Sequence, residues 1–125
     1  MTFCTTALQN RRILIVEDDY LIAQIVTDFL EDAGATIIAQ ISSVDEAVAY
    51  IQEHSATIDC AVVDLNLHGK RSYPVADALT DKGINFIFAT GYGGGGLDMP
   101  YGNHPRCEKP FTQDRLIAAL AALNG

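Results

Sequence analysis

Four short apolar runs and a fifth short extended piece alternate with segments of helical periodicity along the chain. The apolar runs cover residues 12–16, 35–41, 58–63 and 84–89, and the extended piece covers about 103–107. Continuous apolar runs of this length are typical of strands that are covered on both faces. Strands separated by helices with short connections indicate a parallel sheet with helices on both sides. We therefore predict an α/β fold, the flavodoxin-like doubly wound (βα)5 sheet with strand order 2-1-3-4-5.

Helix boundaries can be read from capping residues. Gly34 is placed to end a first helix from Tyr20 to Ala33, and Ser43 with Glu46 has the capping-box spacing that begins a second. Pro74 suits the first turn of a third helix. Thr112 is the expected N-cap of a last helix, with Phe111 and Leu116 at hydrophobic-staple spacing.

The fourth helix of such a fold is not expected here. Five of the six residues from Gly91 to Gly96 are glycine, and each costs a helix roughly 1 kcal/mol relative to alanine. We predict that the fourth helix is absent or disordered and that residues 91–102 form a mobile loop.

Length and charge limit the functions that are open to the chain. Its 125 residues fit a single domain, folded over about 11–123, without an appended output domain. A net charge of −8 disfavours nucleic-acid and anionic membrane partners.

Without a long apolar run or a signal peptide, the expected location is cytoplasmic. Cys4, Cys60 and Cys107 are odd in number and far apart, so neither disulfides nor a zinc site are expected.

Polar residues stand where the predicted strands end. These residues are Glu17, Asp18, Asp64, Thr90 and Lys109. In the order 2-1-3-4-5, strands 1 and 3 are neighbours, so the three carboxylates should meet at the switch point of the sheet. At about 4 Å, each pair of like charges repels by roughly 4 kcal/mol at an effective dielectric constant of about 20. The cluster therefore predicts a divalent cation, and its hard oxygen ligands favour Mg²⁺.

The other two residues suit phosphoryl chemistry. A carboxylate can attack phosphorus, and the resulting acyl phosphate needs positive charge and a hydrogen-bond donor around it. Lys109 supplies the charge and Thr90 supplies a hydroxyl group, which leaves Asp64 as the phosphoryl acceptor.

Four motifs in this order resemble the receiver domain of two-component response regulators. The motifs are Ile13-Leu14-Ile15-Val16-Glu17-Asp18-Asp19, Val62-Val63-Asp64-Leu65-Asn66-Leu67, Ala89-Thr90-Gly91 and Lys109-Pro110-Phe111. The resemblance implies that Asp64 is the phospho-acceptor and that Asp18 binds Mg²⁺ directly. It further implies that Glu17 binds through water and Asn66 through its backbone carbonyl, while Thr90 and Lys109 contact the phosphate. Such a domain is not an enzyme in the ordinary sense, although it assists its own phosphorylation and dephosphorylation.

The segment from Phe86 to Gly93 is similar to a narrower group, the FATGYG-type single-domain receivers of alphaproteobacteria. This similarity implies a histidine kinase partner, with the HWE class as the candidate, or a phosphotransfer protein. Arg106 stands where typical receivers carry an aromatic switch residue. Tyr92, two residues after Thr90, is the replacement that the similarity implies.

The resulting hypothesis is transfer of a phosphoryl group from a phosphohistidine to Asp64. The signal would then reach a downstream protein through a surface formed by strands 4 and 5 and the last helix. Ordering of the 91–102 loop and rotation of Tyr92 could accompany it. A phosphorelay shuttle, a phosphate sink and a phosphorylation-dependent binding switch all remain open.

Several alternatives also stay open at this point. Asp19 is either a helix N-cap or a member of the site. His54, His68 and His104 are expected to be surface residues without a role. A phosphorylation-independent interaction module with a receiver fold is the main alternative function. A metal-dependent phosphohydrolase is less favoured, because Asn66 stands where a second catalytic acid would be expected.

Overall fold

A computed structural model describes residues 8–91, 104–109 and 111–123. Its parallel sheet has five strands: β1 (Arg12–Val16), β2 (Thr36–Ile41), β3 (Cys60–Asp64), β4 (Asn85–Thr90) and β5 (Arg106–Glu108). The described helices are α1 (Tyr20–Asp32), α2 (Val44–His54), α3 (Tyr73–Asp81) and α4 (Gln113–Ala122). The strand order is β2-β1-β3-β4-β5, which confirms the predicted flavodoxin-like topology.

The helices cover the sheet on two faces, as the continuous apolar strands require. One core layer lies between the sheet and α2 and α3, and it includes Leu14, Val63 and Phe88. The other layer lies between the sheet and α1 and α4, and it includes Ile15 and Leu120. Successive residues of a strand point to opposite faces, so each strand contributes to both layers.

The capping residues act as the sequence predicts. Ser43 Oγ accepts the backbone N–H of Glu46, and Thr112 Oγ1 accepts that of Arg115. Gly34 follows α1 with a φ of +95°, a conformation that glycine adopts without a Cβ penalty. The helix ends are therefore fixed by local chemistry.

β1 has its predicted bounds, β2 begins one residue later than predicted, β4 is shifted by one residue, and β3 and β5 differ more. β3 begins at Cys60 rather than at residue 58, because Ser55–Thr57 form a 3₁₀ turn that precedes it. β5 covers Arg106–Glu108 rather than residues 103–107. Pro105 lacks an N–H for the strand ladder, so regular pairing begins after it. The predicted absence or disorder of a fourth helix and the predicted mobile loop both fall on residues 91–102. Residues 92–102 lie outside the residues that the structure describes, so both stay predictions.

A short antiparallel hairpin that the sequence analysis did not anticipate connects β3 to α3. Asn66–Leu67 pairs with Lys70–Arg71, and His68 and Gly69 form the turn.

Among the described residues, no helix is both long and apolar enough to cross a membrane. Cys60 and Cys107 are buried free thiols. Burial raises the pKa of Cys60 to about 11, which makes it unreactive near neutral pH.

Candidate functional site

The predicted site residues lie together at the carboxyl edge of the sheet. Glu17 and Asp18 directly follow β1, Asp64 ends β3 and Thr90 ends β4. Lys109 follows β5, and its backbone N–H donates to the carbonyl of Thr90 at 2.8 Å. Parallel pairing of β1 with β3, β3 with β4 and β4 with β5 brings these strand ends side by side.

Three carboxylates form the acidic part of the site. Glu17, Asp18 and Asp64 each offer an oxygen atom, and these oxygens lie within 4.8 Å of one another. Glu17 and Asp64 are buried, with 7% and 6% of their surface exposed, respectively. Clustered carboxylate oxygens fit a hard divalent cation such as Mg²⁺.

The Lys109 ammonium connects two of these carboxylates. Its Nζ lies 2.8 Å from Glu17 Oε1 and 3.1 Å from Asp64 Oδ2. Burial alone would lower the pKa of Lys109, but its bond to Glu17 and the charge of Asp64 outweigh burial and raise that pKa. Lys109 is therefore a fixed positive charge beside Asp64, as the sequence analysis expected.

Glu17 is the carboxyl group with the most perturbed environment. Burial, and then the nearby Asp64 carboxylate, raise the pKa of Glu17 to about 7. Lys109 and the backbone N–H of Asp19, which donates to Glu17 Oε2 at 3.1 Å, act in the opposite direction. Near neutral pH, this group is poised between its neutral and charged forms.

Backbone N–H groups of the hairpin hold the other two carboxylates. The N–H of Asn66 donates to Asp64 Oδ1 at 3.2 Å, and that of His68 donates to Asp18 Oδ2 at 3.0 Å. Partial burial alone would raise the pKa of Asp18, but the His68 N–H and other hydrogen bonds outweigh it and lower that pKa. The sequence analysis assigned His68 no role. The only available signal was a His-Gly pair between two short segments with strand character.

The open questions about single residues are partly answered by the structure. Asp19 is the N-cap of α1, because its side chain accepts the backbone N–H groups of Leu21 and Ile22. Thr90 is buried, with 2% of its surface exposed. Tyr92, the candidate switch residue, lies outside the described residues. Arg106 is exposed on β5.

His104 departs from the expectation that all three histidines are surface residues. Its ring stacks on Phe86 with the ring centroids 4.1 Å apart, and its Nε2 lies 2.8 Å from the Phe86 carbonyl oxygen. His54 and His68 are exposed. The stacked ring covers part of the sheet face on which Phe86 and Phe88 lie.

Exposed apolar side chains lie on α1, directly after the acidic pair. Tyr20 is 74% exposed, Leu21 72% and Ile25 48%. Large apolar side chains that group at one place on a surface often mark an interaction site. This group, Tyr20, Leu21 and Ile25, is called the α1 patch below.

Comparisons with known proteins agree on one family. The family model described as the response regulator receiver domain matches residues 13–121. No curated protein matches the chain. The solution structure of SdrG from Sphingomonas melonis Fr1 is similar over 93% of this chain and 98% of that one, at 41% identity and a TM-score of 0.81.

Two further solved structures are similar. The BeF3-activated conformation of SdrG from Pseudomonas melonis Fr1 has 40% identity and a TM-score of 0.74, with 98% of each chain covered. The response regulator PhyR from Brucella abortus has 25% identity and a TM-score of 0.77. Here 95% of this chain is covered, but only 50% of PhyR.

Proposed function

The chain belongs to the response regulator receiver domain family, and from this premise we propose that it accepts a phosphoryl group on Asp64. Members of this family are phospho-acceptors of two-component systems rather than conventional enzymes. The observation that carries the proposal is the contact of the Lys109 ammonium with both Asp64 and Glu17. It places a fixed positive charge beside Asp64, which ends β3 between β1 and β4.

The donor is a phosphohistidine of a histidine kinase or phosphotransfer protein, the partners of this family. A carboxylate oxygen of Asp64 attacks phosphorus, the P–N bond breaks, and the imidazole nitrogen keeps the electron pair and takes up a proton. Lys109 stabilises the negative charge on the phosphoryl oxygens. In this proposal, Thr90 supplies a hydroxyl donor and Asn66 the backbone N–H that already binds Asp64, and these two groups orient the product.

Receiver domains bind Mg²⁺ at an acidic pocket, and the oxygen cluster of Glu17, Asp18 and Asp64 fits such an ion. In this proposal, Asp18 and Asp64 hold it directly, Glu17 through water and Asn66 through its backbone carbonyl. When bound, the ion neutralises charge on the transferring phosphoryl group. Without it, Lys109 is the cation that balances Glu17 and Asp64.

The α1 patch supports a docking role for the partner kinase. It begins two residues after Asp18 in the chain, so a partner that covers it would reach the edge of the site. We propose that the chain is a FATGYG-type receiver and that its partner is a histidine kinase of the HWE class. Tyr92 is the proposed switch residue of that subgroup, and it acts together with Thr90.

The proposed output is a change in binding to a downstream protein, or phosphate flow as a relay shuttle or sink. We propose that residues 13–121, which the family model matches, fold as a single receiver domain. A BeF3-activated conformation has been solved for SdrG. We propose that this chain likewise has an activated conformation, reached when a phosphoryl group occupies Asp64.

A titration with beryllofluoride and Mg²⁺, followed by amide NMR, tests this proposal. In the wild type, we expect the amide signals of Thr90 and Lys109 to move to new positions only when both components are present. Asp64→Ala is the control, and its signals should stay unchanged. A wild type that shows no change would favour the phosphorylation-independent interaction module.

A further inference from the structure

The hairpin between β3 and α3 has a well-defined turn. Its two strands, Asn66–Leu67 and Lys70–Arg71, are joined by His68 at a φ of +51° and Gly69 at +82°. Positive φ at both central residues is the signature of a type I′ turn, which matches the twist of a two-residue hairpin. The hairpin closes at its base, where the Ser72 N–H donates to the Leu65 carbonyl at 2.9 Å.

This hairpin contacts two of the three site carboxylates, and the two come from different strands of the sheet. Asn66 N–H binds Asp64 at the end of β3, whereas His68 N–H binds Asp18 after β1. The second contact joins residues that are 50 positions apart. Asp18 has a side chain that is 27% exposed, so this bond limits the rotation of a carboxylate that water could otherwise reach.

We propose that the hairpin is a positioning element for the cation site. The His68 backbone N–H holds Asp18 beside Asp64 before a cation arrives, and the turn at His68–Gly69 keeps that N–H in place. This inference rests on the proposed function, in which Asp18 and Asp64 hold Mg²⁺. A carboxylate that is already oriented loses less conformational freedom on binding, so the hairpin raises the affinity for Mg²⁺.

The positioning role depends on backbone geometry at a residue that is not a ligand. A Cβ at Gly69 would meet no atom within 4 Å, so only the positive φ disfavours a side chain there. Valine at this position strains the turn, whereas its Cβ meets no other atom. Gly83 has a φ of +70° and the same open space, but it follows α3 at the opposite edge of the sheet. Gly69→Val and Gly83→Val are therefore a matched pair.

The test is a Mg²⁺ titration of the full chain, followed by amide chemical shifts. We expect Gly69→Val to weaken Mg²⁺ binding by about tenfold, the lower end for loss of an outer-shell partner. Gly83→Val should stay within about twofold of the wild type, although both substitutions strain a positive-φ backbone. The melting temperature without metal shows whether each variant is folded.

Two further measurements separate positioning from a general structural effect. Asn tolerates positive φ and keeps the backbone N–H, so the conservative His68→Asn should retain wild-type Mg²⁺ affinity. In an Asp18→Ala background, Gly69→Val should cause a smaller loss of affinity than in the wild type, because one of the groups that the hairpin positions is gone. In the metal-free protein, the His68 amide hydrogen should exchange faster in Asp18→Ala than in the wild type.

Three results would overturn the proposal: wild-type affinity in folded Gly69→Val, an equal loss in Gly83→Val, or a loss in His68→Asn as large as in Gly69→Val. The last would mean that the imidazole acts rather than the hairpin backbone. A wild type that does not bind Mg²⁺ would overturn the proposed function itself. That failure is distinct, since it appears before any variant is compared.

Discussion

The Lys109 ammonium lies 3.1 Å from the Asp64 carboxylate, although 45 positions separate the two residues in the chain. The contact exists because β3, β4 and β5 are neighbours in the sheet, so that the end of β3 and the loop after β5 meet at one edge. The same ammonium contacts Glu17 at 2.8 Å. Lys109 therefore links the proposed acceptor to the acidic pair that follows β1.

Removal of the Lys109 charge should slow phosphorylation of Asp64. We expect Lys109→Met to lower the rate of phosphorylation by acetyl phosphate and Mg²⁺ by about 100-fold, because one preorganised group is lost from the charge that develops on phosphorus. The rate can be followed by intact mass against time. Lys109→Arg is the matched control, because it keeps the charge and should lose less activity than Lys109→Met. Equal rates in Lys109→Met and the wild type would contradict this role.

Stability without metal should depend on pH through Glu17. The pKa of Glu17 is about 7 in the folded protein against an ordinary value of 4.5, so the folded state binds more protons between these values. The free energy of unfolding should therefore fall as pH rises from 5 to 8, by about 2 kcal/mol from this group. Urea unfolding in the presence of a chelator measures the change.

Glu17→Gln is the control for this pH dependence, because its amide does not titrate. The decrease in the free energy of unfolding from pH 5 to 8 should be smaller in Glu17→Gln than in the wild type. Identical slopes in the two proteins would show that Glu17 does not cause the effect.

The structure makes Asp19 a cap rather than a metal ligand. Asp19→Ala should lower the free energy of unfolding by about 1 kcal/mol, the usual cost of losing an N-cap. Mg²⁺ affinity should change by less than about twofold, since Asp19 contacts Glu17 through its backbone N–H. Asp19→Asn should restore the stability. A large loss of Mg²⁺ affinity in Asp19→Ala would show that Asp19 takes part in cation binding.

The α1 patch should affect phosphoryl transfer from a protein donor but not from a small-molecule donor. Leu21→Asp should slow phosphoryl transfer from an HWE-class histidine kinase at least about tenfold, because a charge replaces an apolar side chain at the interface. Phosphorylation by acetyl phosphate should be unchanged. Gln52→Asp places the same charge at an exposed position on α2 and should affect neither reaction. The same rate of transfer from the kinase to the wild type, Leu21→Asp and Gln52→Asp would contradict a docking role for the α1 patch.

The topology and the contents of the site follow largely from sequence pattern. Continuous apolar strands and capping residues were sufficient to predict the strand order, and the match to the receiver family confirmed the resemblance. Asp18 and Asp64 were expected to lie close together, because neighbouring parallel strands end at the same edge of the sheet. Their carboxylate oxygens lie within 4.8 Å of each other.

Other features depend on backbone geometry that a local pattern does not reveal. The hairpin has only two residues in each strand, and any residue other than glycine is uncommon at positive φ, so its turn was not recognised. The contact of the His68 N–H with Asp18 joins two loops that are 50 positions apart, and no sequence motif links them. The stacking of His104 on Phe86 was not anticipated for a similar reason, because it depends on where the chain returns to the sheet.

The most direct test of the central claim is the intact mass of the protein after incubation with acetyl phosphate and Mg²⁺. The wild type should gain one phosphoryl group, and the gain should disappear when Mg²⁺ is chelated. Asp64→Ala, folded to the same extent by circular dichroism, should gain nothing. The same gain in Asp64→Ala as in the wild type would contradict the assignment of Asp64 as the phosphoryl acceptor.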